Sequence, residues 1–180
     1  QKEYNLVHND LHSSNIMFQK TETEYIYYKF RNNYFKIPTF GKISKIIDFA
    51  RSTFTINDKL YFSDVFKKTG DAEGQYSYPY HNSLKKCKIL PNKSFDLARL
   101  STTIIEHFEI NTELFNFIKS WSKDKYGNYL IYQNDDFDLY KDIAKNVIYS
   151  VPKDQLNKKI FRKFLISKED IPENTLIYQY

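Results

Sequence analysis

The stretch HNDLHSSN, residues 8–15, decides how this chain is expected to fold. It is polar, and the short apolar runs Leu6-Val7 and Ile16-Met17-Phe18 flank it, so it is predicted to form a loop between two strands. Further along, Lys45-Ile46-Ile47 predicts another strand, which runs directly into Asp48-Phe49. The acidic and amide side chains in these two places are therefore the first candidates for function.

Three of these side chains suit phosphoryl transfer. That reaction needs a carboxylate close to the attacking hydroxyl and oxygen ligands that hold Mg²⁺ against the nucleotide phosphates. A loop that presents Asp10 and then Asn15 can direct the first to the nucleophile and the second to the metal, while Asp48 supplies a charged ligand. Either motif alone is weak, because an Asp after a strand is usually a turn residue. The two motifs in this order and context support each other.

The character of the chain changes once, near residue 94. Before that point, residues 25–30 and 34–37 are rich in aromatic and branched side chains with turn chemistry between them, which predicts a hairpin. Residues 52–93 have poor periodicity and are interrupted by glycines and prolines. They are predicted to form a long irregular surface segment.

Residues 94–180 are predicted to be helical, with Ser94 as the first N-cap and Asp96 in the first turn. The apolar residues predicted to face inward are Leu97, Leu100, Ile104 and Phe108 in the first helix; Leu114, Ile118 and Trp121 in the second, which ends near Gly127; Phe137, Tyr140, Ala144 and Val147 in the third; and Leu156, Ile160 and Phe164 in the fourth, which begins at Pro152. Strands followed by four helices predict one α+β domain that is mainly helical.

The composition narrows the class of protein. The 180 residues, 41% of them apolar, suffice for one domain with a core. A single cysteine, Cys87, excludes an internal disulfide and fits an intracellular setting, and no apolar run approaches the roughly 18–20 residues that span a bilayer. Basic residues are spread along the chain, with a net charge of +5, so a nucleic-acid partner is not expected. Because the chain begins with Gln1 and its one methionine is Met17, it is expected to be a fragment of a longer protein.

Residues 8–15 read H-x-D-L-x-x-x-N, and residues 46–51 read IIDFAR. The chain thereby resembles the protein kinase superfamily, whose catalytic loop is H-R-D-L-x-x-x-N and whose magnesium motif is D-F-G. The closer resemblance is to haspin-like kinases and to kinases of large DNA viruses, because of H-x-D-L-H, the segment IPTFGKI at residues 37–43, the long insert between the motifs and the lack of A-P-E. This resemblance implies a C-terminal lobe with an enlarged β-hairpin before the magnesium motif. It also implies a serine/threonine protein kinase that uses Mg²⁺ and ATP and acts on a protein substrate.

The resemblance also implies a role for each matching residue. Asp10 would orient the substrate hydroxyl and accept its proton. Asn15 and Asp48 would bind Mg²⁺ and, through it, the nucleotide. His8 would pack against the magnesium motif as structural support. Asp96 would brace the loop from beneath, unless it is an ordinary first-turn carboxylate.

Four departures from the kinase pattern stand out. Asn9 replaces an arginine that in many kinases pairs with a phosphorylated activation segment, and Ala50 replaces the glycine of D-F-G. His12, a catalytic candidate, replaces the lysine that contacts the γ-phosphate, and could donate one hydrogen bond there. The chain has only four glycines and no G-x-G-x-x-G, and there is no room before His8 for the lysine–glutamate pair. The N-lobe is absent and is expected upstream on the same polypeptide.

Three other interpretations stay open at this point. A small-molecule phosphotransferase of the aminoglycoside or choline kinase type has a similar H-x-D-x-x-x-x-N loop. A pseudokinase would act as a binding scaffold, although retention of Asp10, Asn15 and Asp48 argues against it. A metal hydrolase could use His8, Asp10 and His12 as ligands, but His81 and His107 complete no known ligand spacing.

Overall fold

The computed structural model of the chain describes residues 4–76 and 90–179. Within these ranges, eight strands and four α-helices are joined by turns and short 3-10 helices. The strands are β1 (Ile16–Lys20), β2 (Tyr25–Phe30), β3 (Asn33–Pro38), β4 (Lys42–Ile46), β5 (Thr53–Ile56), β6 (Lys59–Phe62), β7 (Leu165–Ile166) and β8 (Ile177–Gln179). The α-helices are α1 (Phe95–Ile104), α2 (Glu113–Trp121), α3 (Phe137–Asn146) and α4 (Pro152–Gln155). The described part of the chain is a mixed α and β structure.

The strands form three sheets. β1 and β4 pair antiparallel, with Ile16 opposite Ile46. The predicted hairpin is present as β2 and β3, which are joined by a two-residue turn at Arg31 and Asn32. It forms the centre of a four-stranded sheet of order β7-β3-β2-β8, in which β8 runs parallel to β2. The sequence does not predict β7 and β8, because strands of two and three residues are too short to display a period.

The segment 52–93, predicted to be irregular, begins with a hairpin. β5 and β6 pair antiparallel around Asn57 and Asp58, which have φ angles of 48° and 61°. Asn and Asp tolerate this left-handed conformation better than other non-glycine residues, and a two-residue hairpin turn requires it at both positions. The feature of the sequence from which this hairpin could have been predicted is the pair Asn57-Asp58 between two apolar runs. Residues 77–89 lie outside the described part of the chain, and with them the predictions for His81 and Cys87.

The buried faces of α1 and α3 differ from the predicted apolar stripes. In α1 the buried apolar side chains are Phe95 and Ala98, and the predicted stripe is only half-buried. In α3 the buried side chains are Leu139 and Ile143. α1 contacts α2, α3 and the 3-10 turn at Ser13–Asn15, so it is covered on several sides. A helix covered in this way need not keep a single apolar stripe, and the 3.6-residue period then indicates the wrong face.

Several helix ends also differ from the predictions. Ser94 precedes α1, but its side chain does not cap the helix. Instead, the Asn92 side-chain oxygen accepts the Ser94 N–H at 2.9 Å. α2 ends sooner than predicted, and α4 is a single turn followed by a 3-10 helix at Lys159–Phe164. The predicted fourth helix is therefore mostly absent.

The core lies between α1, α3 and the segment that leads into residues 8–15. Its buried members are Val7, Phe95, Ala98, Leu130, Leu139, Ile143 and Val147. Each large apolar side chain buried here contributes about 1.5–3 kcal/mol. Val7 also exchanges two backbone hydrogen bonds of 2.9 Å with Thr53. The residue immediately before His8 is thus fixed both by the core and by β5.

Within residues 4–76 and 90–179, no helix combines the length and the apolar character that a bilayer crossing requires.

Candidate active site

The loop at residues 8–15 rests on the N-terminal end of α1. The buried Asp96 carboxylate accepts the backbone N–H of His8 at Oδ2 and that of Asn9 at Oδ1, both at 3.0 Å. Because Asp96 lies in the first turn of α1, the helix dipole also stabilises its negative charge. One carboxylate therefore fixes the backbone N–H groups of the two residues before Asp10. Asp96 is both a first-turn carboxylate and a brace for the loop, so its two interpretations do not exclude each other.

Asn9 is fully buried and has a φ of 63°. Its amide nitrogen lies within hydrogen-bonding distance of the carbonyl oxygens of Val7 and Arg51, at 3.2 and 2.9 Å, and of the Thr53 hydroxyl, at 3.1 Å. The Tyr76 hydroxyl donates to its side-chain oxygen. This neutral side chain thus connects the loop, the segment after Asp48 and β5, a role that the sequence does not predict.

His8 is buried, and its ring lies against residues 47–49. Its Nε2 lies 2.8 Å from the Ile47 carbonyl oxygen and must carry the proton, because a carbonyl oxygen only accepts. The ring packs against Phe49, with centroids 5.0 Å apart. Nδ1 is buried without a hydrogen-bond partner among the described residues. His8 therefore joins the loop to Ile47 and Phe49.

The Asp10 carboxylate is held by residues from three different parts of the chain. Its Oδ1 accepts a hydrogen bond of 2.6 Å from the Tyr140 hydroxyl and lies 3.9 Å from Nε2 of His12. Its Oδ2 lies 3.8 Å from Nε of Arg51. The side chain is 18% exposed, so Asp10 is not fully enclosed by these contacts.

Asn15 is buried, and its side chain contacts both Asp10 and His12. Its Nδ2 donates to the Asp10 carbonyl at 3.0 Å and lies 3.2 Å from Nε2 of His12. An amide NH₂ can only donate, so Nε2 of His12 accepts and the ring proton is on Nδ1. These contacts use the nitrogen of Asn15 and leave its side-chain oxygen, the atom that can bind Mg²⁺.

Asp48 lies just after the C-terminal end of β4, the strand that pairs with β1. The Ile47 N–H donates to the Asn15 carbonyl at 3.0 Å, so the two proposed metal ligands extend from adjacent stretches of backbone. Asp48 has a φ of 59°, an uncommon conformation outside glycine. Its Oδ1 accepts the Ala50 N–H at 3.3 Å, and the residue is exposed. The register places Asn15 and Asp48 at the same end of the β1–β4 pair.

Tyr140 belongs to the site although the sequence predicts it only as an apolar-stripe residue. Its ring centroid lies 5.2 Å from the guanidinium carbon of Arg51 and 4.9 Å from that of Arg99. Arg99 is buried and pairs with Asp135 at 2.9 Å. Burial and the hydrogen bond to Asp10 raise the pKa of Tyr140, so its hydroxyl stays protonated at neutral pH. The feature of the sequence that could have indicated this group of Tyr140, Arg51 and Arg99 is the charged Arg99 three residues after Asp96.

The donor atoms fit Mg²⁺ better than a histidine-bound metal. Within residues 4–76 and 90–179, no group of three or more His, Cys, Asp or Glu side chains could hold a metal ion. His8 is bound to a backbone carbonyl, which disfavours the metal-hydrolase interpretation. Mg²⁺ prefers oxygen ligands and takes only a few from the protein. The side-chain oxygens of Asn15 and Asp48 are of that kind.

Comparison with known proteins points to a kinase-like relationship. No family model matches the chain. Over 87 residues the chain is 31% identical to the serine/threonine-protein kinase haspin homolog of Drosophila melanogaster. The match covers 47% of this chain and 15% of that relative, so it spans only a small part of the relative's length.

Proposed function

We propose that this chain is the C-terminal lobe of a protein kinase that transfers the γ-phosphate of ATP to a serine or threonine hydroxyl of a protein substrate. The observation that carries this proposal is the hydrogen-bonded frame around Asp10. Asp96 holds the backbone before it, and Asn15 bonds to its carbonyl at 3.0 Å. The backbone carbonyl of Asn15 accepts the N–H of Ile47, the residue before Asp48, at 3.0 Å. The similarity to a serine/threonine kinase supports the choice of acceptor.

Each polar side chain then has a task in the transfer. Asp10 orients the substrate hydroxyl and accepts its proton as the oxygen bonds to the γ-phosphorus, while the bond from that phosphorus to the β–γ bridging oxygen breaks and ADP leaves. Asn15 and Asp48 would hold Mg²⁺, which neutralises charge on the phosphates. His12 would act through Nδ1, because Nε2 is already bonded to Asn15. Nδ1 is the nitrogen that can donate to a phosphate oxygen.

The proposal requires groups that these 180 residues do not contain. They include no G-x-G-x-x-G, so the glycine-rich loop and the lysine–glutamate pair of a kinase N-lobe would come from other residues of the complete polypeptide. We also propose an intracellular setting, which the single cysteine supports.

Substitutions in the full-length protein test this function. Asp48→Asn should abolish Mg²⁺-dependent transfer from radiolabelled ATP to casein, because it removes the charged metal ligand. Asp10→Asn should lower kcat roughly 10²–10⁴-fold, because it removes the proton acceptor. Asp71→Asn, which alters an exposed carboxylate outside this frame, should change neither rate.

Two other outcomes would replace the proposal. Wild-type rates in both Asp10→Asn and Asp48→Asn would mean that the measured phosphate transfer does not come from this site. That result would favour a non-catalytic scaffold. Transfer to choline or an aminoglycoside, with none to casein, would favour a small-molecule phosphotransferase.

A further inference from the structure

Three parts of the chain meet at the ring of Tyr140. Asp10 comes from the loop, Arg51 from the segment after the magnesium motif, and Arg99 from α1. The Tyr140 hydroxyl donates to Asp10 Oδ1 at 2.6 Å, and the two guanidinium groups lie 5.2 and 4.9 Å from the ring centroid. The sequence distance between Tyr140 and Asp10 is 130 residues, so folding alone brings these groups together.

The position of Tyr140 is set by its helix. Its neighbour Leu139 and the nearby Ile143 are core residues of α3, and the Asp136 side chain caps that helix by accepting from two backbone N–H groups. Its ring also packs against Phe95, with centroids 5.9 Å apart. A hydroxyl held in this way can fix the group to which it donates.

We propose that Tyr140 is a positioning residue for Asp10 in the phosphotransfer proposed above, on which this inference rests. Its hydroxyl occupies Oδ1 of the carboxylate and thereby fixes the rotation of the Asp10 side chain. Oδ2 is left to receive the substrate hydroxyl, beside Arg51. The two guanidinium groups hold the aromatic ring, since cations are attracted to the face of an aromatic ring.

Two substitutions separate the hydroxyl from the ring. Tyr140→Phe removes the hydrogen bond to Asp10 and keeps the ring beside the two arginines, whereas Tyr140→Leu removes both the hydrogen bond and the ring. In full-length protein, with casein as acceptor, Tyr140→Phe should lower kcat about five- to fiftyfold and leave the KM for MgATP unchanged. Tyr140→Leu should lower kcat further and also lower the thermal midpoint. Tyr126→Phe, at a tyrosine that is 71% exposed, is the matched control and should leave kcat and KM unchanged.

A second measurement does not depend on activity. In the 180-residue chain labelled with ¹³C at the tyrosine Cζ, the Tyr140 resonance is identified by its loss in Tyr140→Phe. Asp10→Asn should lower the titration midpoint of this resonance, because it removes the carboxylate that accepts the hydroxyl. An unchanged midpoint would overturn the inference, as would a wild-type kcat in Tyr140→Phe. If the full-length protein transfers no phosphate, the proposed function is wrong. The inference about Tyr140 is then wrong too, whatever the titration shows.

Discussion

Asn9 is a neutral, hydrogen-bonded residue at a position where many kinases have a charged arginine. In the kinases that the chain resembles, an arginine often stands before the catalytic aspartate, whereas here a fully buried amide contacts Val7, Arg51 and Thr53. A left-handed φ of 63° suits Asn at this position better than most other residues. The amide therefore joins the backbone before Asp10 to residues 51 and 53 without leaving a charge to be neutralised.

Substitution of Asn9 should destabilise the fold. Asn9→Ala removes a donor shared among several buried acceptors and should lower the free energy of unfolding by about 1–3 kcal/mol. Asn9→Arg should be worse, because the site is 0% exposed and must then hold a larger, charged side chain, while the Asp96 carboxylate beside it already accepts two backbone N–H groups. Urea unfolding followed by circular dichroism measures both. The exposed Asn157→Ala serves as the control, and an Asn9→Arg variant as stable as wild type would contradict this account.

The turn after α2 depends on one carboxylate. Asp124 Oδ1 accepts the N–H groups of Tyr126 and Asn128, both at 2.8 Å, and Oδ2 accepts from the Asn128 amide at 3.1 Å. Burial raises the pKa of Asp124, but the hydrogen bonds from Asn128, Tyr126 and Gly127 outweigh burial and hold that pKa below its usual value. The ionised carboxylate therefore stabilises the turn.

This lowered pKa gives a pH-dependent prediction. Because the folded-state pKa of Asp124 lies below the unfolded value of about 3.9, its contribution to stability is full above that value and is lost as the pH falls through the folded pKa. Asp124→Asn should therefore lower the thermal midpoint at pH 7, and the gap to wild type should narrow as the pH falls through the lowered pKa of Asp124. Calorimetry across this pH range measures the gap, with Asp154→Asn as an exposed control. A gap that does not change with pH would show that the charge is not what stabilises the turn.

Local elements were predictable where the chemistry is local. The loop at residues 8–15 and the hairpin β2–β3 follow from apolar runs and turn residues that are close in sequence. The buried face of α1 does not, because Asp96 and Arg99 are buried for their contacts with the loop and with Asp135. Periodicity assumes that buried residues are apolar, and this helix breaks that assumption at the site.

The candidate site was predictable only as a set of separate residues. The motifs identify the candidates at positions 10, 15 and 48, but their hydrogen-bonded frame depends on pairing between β1 and β4. The contact of Tyr140 with Asp10 spans most of the chain, and no short pattern encodes it. Tertiary packing of α3 places it there.

At the scale of the whole molecule, the Asp10 carboxylate is held by side chains from distant parts of the chain. Arg51 is the basic residue nearest in role to the arginine that Asn9 replaces. Its Nε lies 3.8 Å from Oδ2 of Asp10, and its guanidinium lies over the Tyr140 ring. We therefore expect the full-length enzyme to be active without phosphorylation in residues 52–93. Phosphatase treatment, checked by mass spectrometry and followed by the casein assay, should leave kcat unchanged. Loss of activity after this treatment would indicate that Arg51 exchanges its present contacts for a phosphate.

The 180-residue chain itself should bind MgATP weakly. Asn15 and Asp48 offer only two side-chain oxygen ligands to the metal, and the chain has no G-x-G-x-x-G to cover the phosphates. Most of the groups with which a kinase holds ATP are thus missing from it, and millimolar dissociation is the expected range, a binding free energy of about −4 kcal/mol. Isothermal titration calorimetry of the chain with ATP and excess Mg²⁺ measures this directly, with Asp48→Asn as the paired variant. Micromolar binding that persists in Asp48→Asn would mean that the nucleotide site lies elsewhere in the chain, because neither the metal ligand nor a phosphate-binding loop would then account for the affinity.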